Sequence, residues 1–360
     1  MNERMDVSVV ISTYNGSASL PGALDSVLRQ DHGGLSYEVI VVDNNSHDGT
    51  RAVIESYVAK SEGLVQYVFE PRQGVSYGRN AGIARATAPI IAFFDDDVRV
   101  APDWLRTLKR ALDEHPDVDF VGGKVVPEWQ SAPPAWLTDA HWSPLALVDY
   151  GPEPVHVTFE RQLCLVSANL AVRRSLLDAV GLFSPELQRV KDSIGSMEDH
   201  ELLMRCWRAG RQGLYLPGLI ASTTVPASRL SKDYHRRWHR GHGVFCAMMR
   251  YVEAIDQHGK YIGERRAEDA VMLFGVPAYL YRQAADQFRL WALAALRRQP
   301  AISLMHENNV RFLASYIRTR YSQERALRER SALAEVRTFA ANLLRKKMRT
   351  PLATGDKHSA

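Results

Sequence analysis

The segment 90–100, IIAFFDDDVRV, joins a run of apolar residues directly to three acidic residues, Asp95, Asp96 and Asp97. A short apolar run of this kind is typical of a strand that is buried in a sheet. Adjacent carboxylates repel one another unless a positive charge lies among them. In an extended segment alternate side chains share a face, so Asp95 and Asp97 are expected to point the same way, opposite to Asp96. The segment therefore predicts a buried strand whose end holds a positive charge.

Strand-like and helical segments alternate through the first hundred residues. Buried strands are predicted at 7–12, 37–43, 64–70 and 89–95, because apolar and β-branched residues follow one another there. The segments between them have helical spacing or small residues, as in 18–30. This alternation is typical of βαβ units and predicts an α/β fold with a mostly parallel sheet. Since ligands bind outside the carboxyl ends of such strands, the polar residues that follow them are candidates for a binding site.

Beyond residue 100 the alternation becomes irregular. The later segments are predicted to be a helix at 102–117, a strand at 118–127, a Pro- and Trp-rich stretch at 127–154, a strand, turn and helix at 163–181, a helix at 197–210 and a strand pair at 213–226. From about residue 231 only helices and connectors are predicted. We therefore expect a first domain at 1–230, a helical region at 231–350 and a disordered tail at 351–360.

The composition excludes several classes of protein. A formal net charge of +4 over 360 residues is too small for a polyelectrolyte binder, so no nucleic acid partner is expected. Three isolated cysteines favour a reducing, cytoplasmic location over a disulfide scaffold or a zinc module. A strand pattern begins within the first ten residues, so no signal peptide is expected, and no apolar run is long enough to span a membrane.

Oxygen-only ligands at the end of the fourth strand suit a hard divalent cation. Mg²⁺ or Mn²⁺ keeps several waters, binds one or two carboxylates and coordinates phosphate oxygens, which fits Asp95 and Asp97. The alternative is a solvated acidic turn before a helix, where carboxylates are favoured in any case. The acids lie on the same edge of the predicted sheet as the other polar residues, and this placement favours the metal.

Four segments together resemble the family 2 glycosyltransferases, over about residues 5–245. They are VSVVISTYNGSASLPGALDSVLRQ, EVIVVDNNSHDGT, GVSYGRNAGIARATAPIIAFFDDDV and MEDHELLMRCWRAG, in that order. The resemblance implies a GT-A fold with a helical C-terminal extension. Residues 1–100 would then form the nucleotide-sugar-binding half and residues 101–230 the acceptor and catalytic half.

The resemblance also implies a reaction. A sugar would pass with inversion from a nucleotide-sugar donor to an acceptor hydroxyl, assisted by Mn²⁺ or Mg²⁺, in polysaccharide or glycoconjugate biosynthesis. UDP is the commonest donor nucleotide in the family, while GDP and dTDP stay open.

Individual residues match the family's motifs. Those that the resemblance assigns to the nucleotide sugar are Thr13, Tyr14, Asn15, Asp43, Asn45, Gly74, Arg79, Asn80, Asp95, Asp96 and Asn169. In these roles Tyr14 would stack on the base, Asp43 would accept an N–H from it, and Arg79 would donate to a phosphate. Asp95 and Asp97 match the D-x-D metal motif, with Asp97 as the direct ligand and Asp95 on the ribose or on a metal-bound water.

Three of these residues have structural explanations as well. Asp43 can cap the turn that follows the second strand, and Arg79 can form a surface ion pair. Asn169 can be a buried side chain that satisfies backbone groups rather than a contact to the donor sugar.

A second acidic pair, Glu198 and Asp199, opens an amphipathic helix in the segment GSMEDHELL. Acids are favoured at helix N-termini, so simple capping is one explanation. An inverting transfer, however, needs a base to deprotonate the acceptor hydroxyl. The resemblance assigns that role to Asp199 and leaves Glu198 to orient the acceptor. A direct displacement needs no nucleophilic serine or cysteine.

The chain departs from the family's pattern after the last predicted strand. Thr223 and Thr224 stand where many relatives have a histidine that completes the metal site. His235 and His239 have the spacing of ligands on one helix face, but a zinc site would need further ligands. The arginines of 229–240 are candidates for a basic segment that closes over the diphosphate, or for an ordinary solvated helix face.

The acceptor side is indicated more weakly. Trp129, Trp136 and Trp142 suit a saccharide, lipid-linked or small-molecule acceptor, although tryptophans also fill irregular cores. The helical segments 271–298 and 323–349 carry arginines beside apolar residues. They are predicted to make peripheral contact with the inner face of the cell membrane, to form a homodimer, or to pack on the catalytic domain.

Other functions use similar parts. A sugar-nucleotide nucleotidyltransferase should have a Gly-rich loop with Lys and Arg after the first strand, and ISTYNGSASLPG lacks these residues. A non-catalytic nucleotide-sugar-binding module would lack the base, whereas Asp199 is present. A dinucleotide-binding dehydrogenase should have G-x-G-x-x-G after the first strand, and this motif is missing there.

Overall fold

A computed structural model shows a mixed sheet between two layers of helices, followed by a helical extension. The structure describes residues 5–188, 194, 197–254, 270–327 and 339. In chain order the strands and helices are β1 (Val7–Thr13), α1 (Leu20–Leu28), β2 (Tyr37–Asp43), α2 (Thr50–Lys60), β3 (Val65–Phe69), α3 (Val75–Arg85), β4 (Ile90–Phe93), β5 (Val98–Val100), α4 (Trp104–Glu114), β6 (Phe120–Trp129), β7 (Val155–Val157), β8 (Leu170–Arg173), α5 (Arg174–Val180), α6 (Glu198–Arg208), β9 (Gly213–Val225), α7 (Lys232–Met249), α8 (Tyr251–Ala254), β10 (Met272–Leu273), β11 (Val276–Pro277), α9 (Ala278–Leu296) and α10 (Pro300–Leu327).

The order of strands in the main sheet is β3-β2-β1-β4-β8-β6-β9-β5, and β7 pairs with β9. Strands β1 to β4 are parallel, but β8 runs antiparallel to both of its neighbours. The parallel sheet predicted from the first hundred residues is therefore confirmed for β1 to β4, and the rest of the sheet is mixed, with β6 parallel to β9 and with β5 and β7 antiparallel to it. The chain leaves β1 toward β2 and β3, then returns to place β4 on the other side of β1. This switch in direction opens a crevice at the carboxyl ends of β1 and β4.

Both faces of the sheet are buried, as the continuous apolar strands predicted. Val9 of β1 belongs to a core with residues of α1, α2 and α4. Val10, its neighbour, points to the other face and belongs to a core with residues of α3, α5 and α6. Helix α3 lies so close to β1 that a Cβ on Gly82 would collide with the Val10 side chain. This close packing brings the polar residues of α3 to the end of β1.

Two predicted strands differ from the observed ones. Strand β4 ends at Phe93, and the N–H of Val98 bonds to the carbonyl of Asp95 at 3.1 Å. The acidic triplet therefore lies on a turn, because the next strand, β5, leaves to pair with β9. The argument that Asp95 and Asp97 share a face by strand alternation does not apply. The strand pair predicted at 213–226 is the single long strand β9.

The C-terminal helices form their own core and pack beside the sheet. Cys246 of α7, Leu280 of α9 and Tyr316 of α10 are among its buried residues. The hairpin of β10 and β11 lies in a region where only helices and connectors were predicted. The predicted helical segments 255–269 and 328–350, apart from residue 339, and the predicted tail 351–360 lie outside the described residues. Among the helices that the structure describes, none has the length and apolar character of a membrane span.

Candidate active site

A cavity of about 770 Å³ opens at the carboxyl ends of β1 and β4, where the sheet topology places a crevice. One side of it comes from β1, α3 and the acidic turn, and the far side from α7 and α10. Nine of the predicted site residues line it: Thr13, Tyr14, Gly74, Arg79, Asp95, Asp96, Asp97, Glu198 and Asp199. The structure thus brings the two acidic motifs to one cavity, although about a hundred residues separate them in sequence.

Arg79 supplies positive charge between the two acidic motifs. Its guanidinium donates from Nη2 to Asp95 Oδ1 at 3.1 Å and from Nη1 to Glu198 Oε1 at 3.0 Å. Asp199 Oδ1 lies 3.6 Å from Nη1. Burial disfavours the guanidinium charge, but the three surrounding carboxylates raise the pKa of Arg79 above its usual value. The side chain is only 6 % exposed, so Arg79 fixes the carboxylates relative to one another, and its predicted phosphate contact stays a prediction.

Asp199 has the environment of a general base. It lies in the first turn of α6, and its Oδ2 accepts the backbone N–H of Ser167 at 3.2 Å. Burial raises the pKa of Asp199 to about 6, with Arg79 opposing the shift and Glu198 adding to it. Its other oxygen, Oδ1, accepts no hydrogen bond. A carboxylate with this pKa is ionised at neutral pH yet basic enough to accept a proton.

The acidic turn contacts residues on both sides of the crevice. The Asp96 carboxylate accepts a hydrogen bond from the Thr13 hydroxyl and so ties the turn to the end of β1. The Asp97 carboxylate lies 3.9 Å from the Arg229 guanidinium. The backbone carbonyl of Asp97 accepts the N–H of Thr224 at 3.4 Å.

The carboxylates of the acidic turn can hold a divalent cation only if water and substrate oxygens complete its coordination. Across the described residues, no group of three or more His, Cys, Asp or Glu side chains is placed to hold a metal. Asp95 and Asp97 nevertheless both line the cavity with partly exposed carboxylates. This set suits Mg²⁺ or Mn²⁺, which take one or two carboxylates and complete their shell with water and phosphate oxygens.

Five residues that the resemblance assigned to the nucleotide sugar are not among those that line the cavity: Asn15, Asp43, Asn45, Asn80 and Asn169. The buried Asp43 carboxylate accepts the backbone N–H of Ser46 at 2.9 Å, which is the turn-capping alternative. The Asn80 amide bonds both backbone groups of Phe183 and holds that loop against α3. Asn15 and Asn45 have positive φ angles of 52° and 63°, which Asn tolerates in turns.

Asn169 also has the structural role that the sequence left open. Its side chain donates to the carbonyls of Lys124 and Leu219, each at 2.8 Å, and accepts the Trp104 indole N–H at 2.8 Å. The residue is buried, and these three bonds account for both groups of its amide. It therefore braces β6 and β9 beneath the cavity instead of reaching into it.

Two neighbouring residues shape the loop that enters α3. The Asn44 side chain accepts the N–H of Gly74 at 2.8 Å and donates to the carbonyl of Arg72 at 2.6 Å. Gly74 has a φ of 140°, and a Cβ there would collide with the Gln188 side chain. An Asn directly after a strand and a Gly before a helix are visible in the sequence, but their pairing is not.

The far wall of the cavity was largely missed from the sequence. It is formed by Ser143–Val148 and Tyr150, by Trp238, His239 and His242 of α7, and by Asn309 and Phe312 of α10. The Trp238 ring stacks on His242, with centroids 4.3 Å apart and an interplanar angle of 17°. No local pattern in α10 marks Phe312 as part of a site, because its position depends on how α10 packs on α7.

The three tryptophans predicted at the acceptor are not among the lining residues. Trp136 contacts His141 and His235 edge to face, while Trp129 and Trp142 pack against the core below the sheet. They have the core-filling role that the sequence left open. Burial lowers the pKa of His235 and of His239 to about 4, so both imidazoles are neutral.

Two arginines of the predicted basic segment 229–240 form ion pairs with residues that do not line the cavity. Arg229 lines the cavity, but Arg236 pairs with Glu307 of α10 at 2.8 Å and Arg237 pairs with Asp233 at 3.0 Å. The segment is therefore held mainly by α7 and α10, and Arg229 is its candidate for contact with an anionic ligand.

The sheet topology, with the acidic turn and the buried acidic pair at one cavity, is that of the GT-A fold. Residues 8–181 match the model of the family described as Glycosyl transferase family 2. Over these residues the chain is similar to glycosyl transferase family 2.

Known proteins agree with this similarity. The glucosyl-dolichyl phosphate glucuronosyltransferase of Haloferax volcanii is 25 % identical over 264 residues, which are 72 % of this chain and 82 % of that protein. Glycosyltransferase AglE of the same organism is 34 % identical over 119 residues, 33 % of this chain and 39 % of that protein. The mannosyltransferase PcManGT from Pyrobaculum calidifontis, solved with GDP-Man and Mn²⁺, has a TM-score of 0.54 at 18 % identity, covering 92 % of this chain and 89 % of its own. This structural likeness shows the fold.

Proposed function

We propose that the chain transfers a sugar from a nucleotide-sugar donor, a UDP-sugar in the first instance, to an acceptor hydroxyl with inversion. The observation that carries the proposal is the position of Asp199. This buried carboxylate has a raised pKa and lies in the same cavity as the acidic turn that follows β4. A base and a donor-binding turn that one arginine holds close together in one cavity are what a single direct displacement requires.

The donor occupies the side of the cavity formed by Thr13, Tyr14 and Gly74. Its diphosphate lies at the acidic turn, where Asp97 and Asp95 would hold Mn²⁺ or Mg²⁺. The cation, when bound, neutralises charge that develops on the departing diphosphate. The mannosyltransferase PcManGT, whose fold this chain shares, was solved with a nucleotide sugar and Mn²⁺, and this supports the same class of ligands here.

The acceptor occupies the far side, against the aromatic wall of α7 and α10. Its hydroxyl oxygen attacks the anomeric carbon as the bond to the diphosphate oxygen breaks, and its proton passes to Asp199 Oδ1. Arg79 holds Asp199 and Glu198 in place for this step, through the contacts described above. The acceptor is a saccharide, lipid-linked or small-molecule hydroxyl compound, and the relative from Haloferax volcanii is named for a lipid-linked saccharide.

The substitution Asp199→Asn tests the assignment of the base. Asn cannot accept the proton, so turnover should fall by about 10²- to 10⁴-fold. Donor binding should persist, because the residues proposed to hold the nucleotide, Thr13, Tyr14 and Gly74, are unchanged. Turnover is measured as nucleoside diphosphate release from a panel of sugar nucleotides with methyl glycosides as acceptors, and binding as a thermal shift with UDP and Mn²⁺.

Glu201→Gln is the matched control, since Glu201 lies in the same helical turn but pairs with Arg205 outside the cavity. It should retain activity. Full turnover in the Asp199→Asn enzyme would refute the base, and a wild-type chain that binds no nucleoside diphosphate would refute the proposal as a whole.

A further inference from the structure

Exposed apolar side chains are concentrated on the hairpin between α9 and α10. We call residues 282–302 the hairpin tip. Its exposed large apolar residues are Phe288, Leu290, Leu293, Leu296 and Ile302. Leu296 is 81 % exposed. Single exposed apolar residues are common on protein surfaces, but several exposed together indicate a contact surface.

The outward face of α9 carries apolar residues and arginines together, whereas its inward face packs on the protein. Leu280 and Ala294 are buried on the inward face. At 100° per residue, Ala292 and Leu296 lie on the opposite side of the helix, with Arg282 and Arg289 beside them and Leu293 at the edge of this face. A face on which exposed apolar side chains lie beside arginines suits a partner that offers both apolar and anionic groups.

The charges beside this face are almost all positive. The exposed arginines of the hairpin tip are Arg282, Arg289, Arg297 and Arg298. Asp286 is the one acidic residue in this segment of the sequence. In the part of the chain that the structure describes, none of these arginines forms an ion pair. Their charge is available to an anionic partner.

We propose that the hairpin tip docks on the surface of an anionic lipid bilayer. The apolar side chains would enter the boundary between headgroups and acyl chains, while the arginines would contact lipid phosphates. A second copy of the chain fits less well, because a two-fold contact would place the arginines of both copies against one another. A nucleic acid would satisfy the arginines but leave Leu296 and Phe288 exposed.

The hairpin tip also lies near the cavity along α10. From Ile302 to Asn309, which lines the cavity, the helix rises by about 10 Å. Docking would therefore hold the far wall of the cavity close to the bilayer surface. The docking itself is independent of the proposed reaction, and it is measured without substrate.

Flotation of the full chain with lipid vesicles tests the proposal. The chain should float with vesicles of phosphatidylcholine and phosphatidylglycerol, and at least about tenfold less with phosphatidylcholine alone. The double substitution Leu293→Asn with Leu296→Asn should lower the partition coefficient by more than about tenfold, since both side chains lose apolar contact with lipid. Arg297→Ala with Arg298→Ala should lower it by about 25-fold at low salt, at a factor of about five for each arginine.

The controls are substitutions of exposed residues in other parts of the chain. Leu182→Asn removes a leucine that is 45 % exposed, and Arg85→Ala with Arg110→Ala removes two exposed arginines from other helices. Both should float like the wild type. Thermal unfolding checks that the hairpin variants are folded. We expect them to be, because the substituted side chains are exposed.

Two results would overturn the proposal. One is a wild-type chain that does not float with anionic vesicles, which would mean that another segment covers the hairpin tip. The other is a dimer in solution, seen by light scattering, that the Leu293→Asn with Leu296→Asn variant turns into a monomer, which would make the face a contact between copies.

Discussion

Replacing Arg79 with methionine tests whether this guanidinium organises the active site. Methionine is close to arginine in length but carries no charge, so the substitution removes the bonds at 3.0 and 3.1 Å to Glu198 and Asp95 with little change in packing. Bonds of this charged type contribute about 1.5–3 kcal/mol each. Breaking a buried ion pair costs about 3–5 kcal/mol, because the remaining charges stay buried. We expect the free energy of unfolding to fall by about 3–5 kcal/mol at neutral pH.

The pH dependence of the variant follows from the same contacts. In the wild type, burial raises the pKa of Asp199 from its ordinary 3.8 to about 6, against the opposing effect of Arg79. Because folding raises this pKa, the free energy of unfolding of the protein decreases as the pH rises from 3.8 to about 6. Without Arg79 the pKa of Asp199 rises further, so the stability deficit of the variant should shrink as the pH is lowered. As the pH is lowered, the variant should lose its remaining activity at a higher pH than the wild type, whose activity is expected to fall near pH 6.

Urea unfolding, followed by tryptophan fluorescence, measures the first effect, and the acid limb of the rate profile measures the second. Arg51→Met is the control, because Arg51 and its partner Glu55 have side chains that are 69 % and 53 % exposed. It should unfold like the wild type. An Arg79→Met protein with wild-type stability and an unshifted acid limb would contradict the role assigned to Arg79.

Two further substitutions examine the two sides of the cavity. Asp97→Ala should raise the Mn²⁺ concentration needed for half-maximal activity by more than about tenfold, since even partners outside the metal's inner shell have effects of that size; an unchanged requirement for Mn²⁺ would remove Asp97 from the metal site. Trp238→Ala should raise the KM for a saccharide acceptor by about tenfold, as loss of an aromatic stacking partner does, and should leave hydrolysis of the donor alone unchanged. An unaltered acceptor KM would mean that the acceptor lies away from α7.

Local pattern was enough to predict the first four strands and the acidic motifs. Continuous apolar runs such as 37–43 are buried on both sides by helices, and this depends little on the rest of the chain. The same reasoning used strand alternation to place Asp95 and Asp97 on one side, whereas both line the cavity from a turn. It assumed that β4 continues through the acids, whereas pairing of β5 with β9, more than a hundred residues later, turns the chain at that point.

The roles of single polar residues were harder to predict. Asp43 and Asn169 match motif positions, yet their side chains are engaged by a turn and by two strands. Trp238 and Phe312 carry no motif, yet they line the cavity. A polar or aromatic side chain has several ways to be satisfied, and which of them is used depends on neighbours that are distant in sequence.

The sequence by itself determined the α/β class, the edge of the sheet that carries the acids and the family resemblance, because these rest on periodicity and on motifs within single segments. Only the tertiary structure decided that Arg79 pairs with both acidic motifs and that the helices after residue 231 close the cavity. The reason is physical: an ion pair or a cavity wall exists only between atoms that folding brings within a few ångströms, and local pattern does not contain that distance.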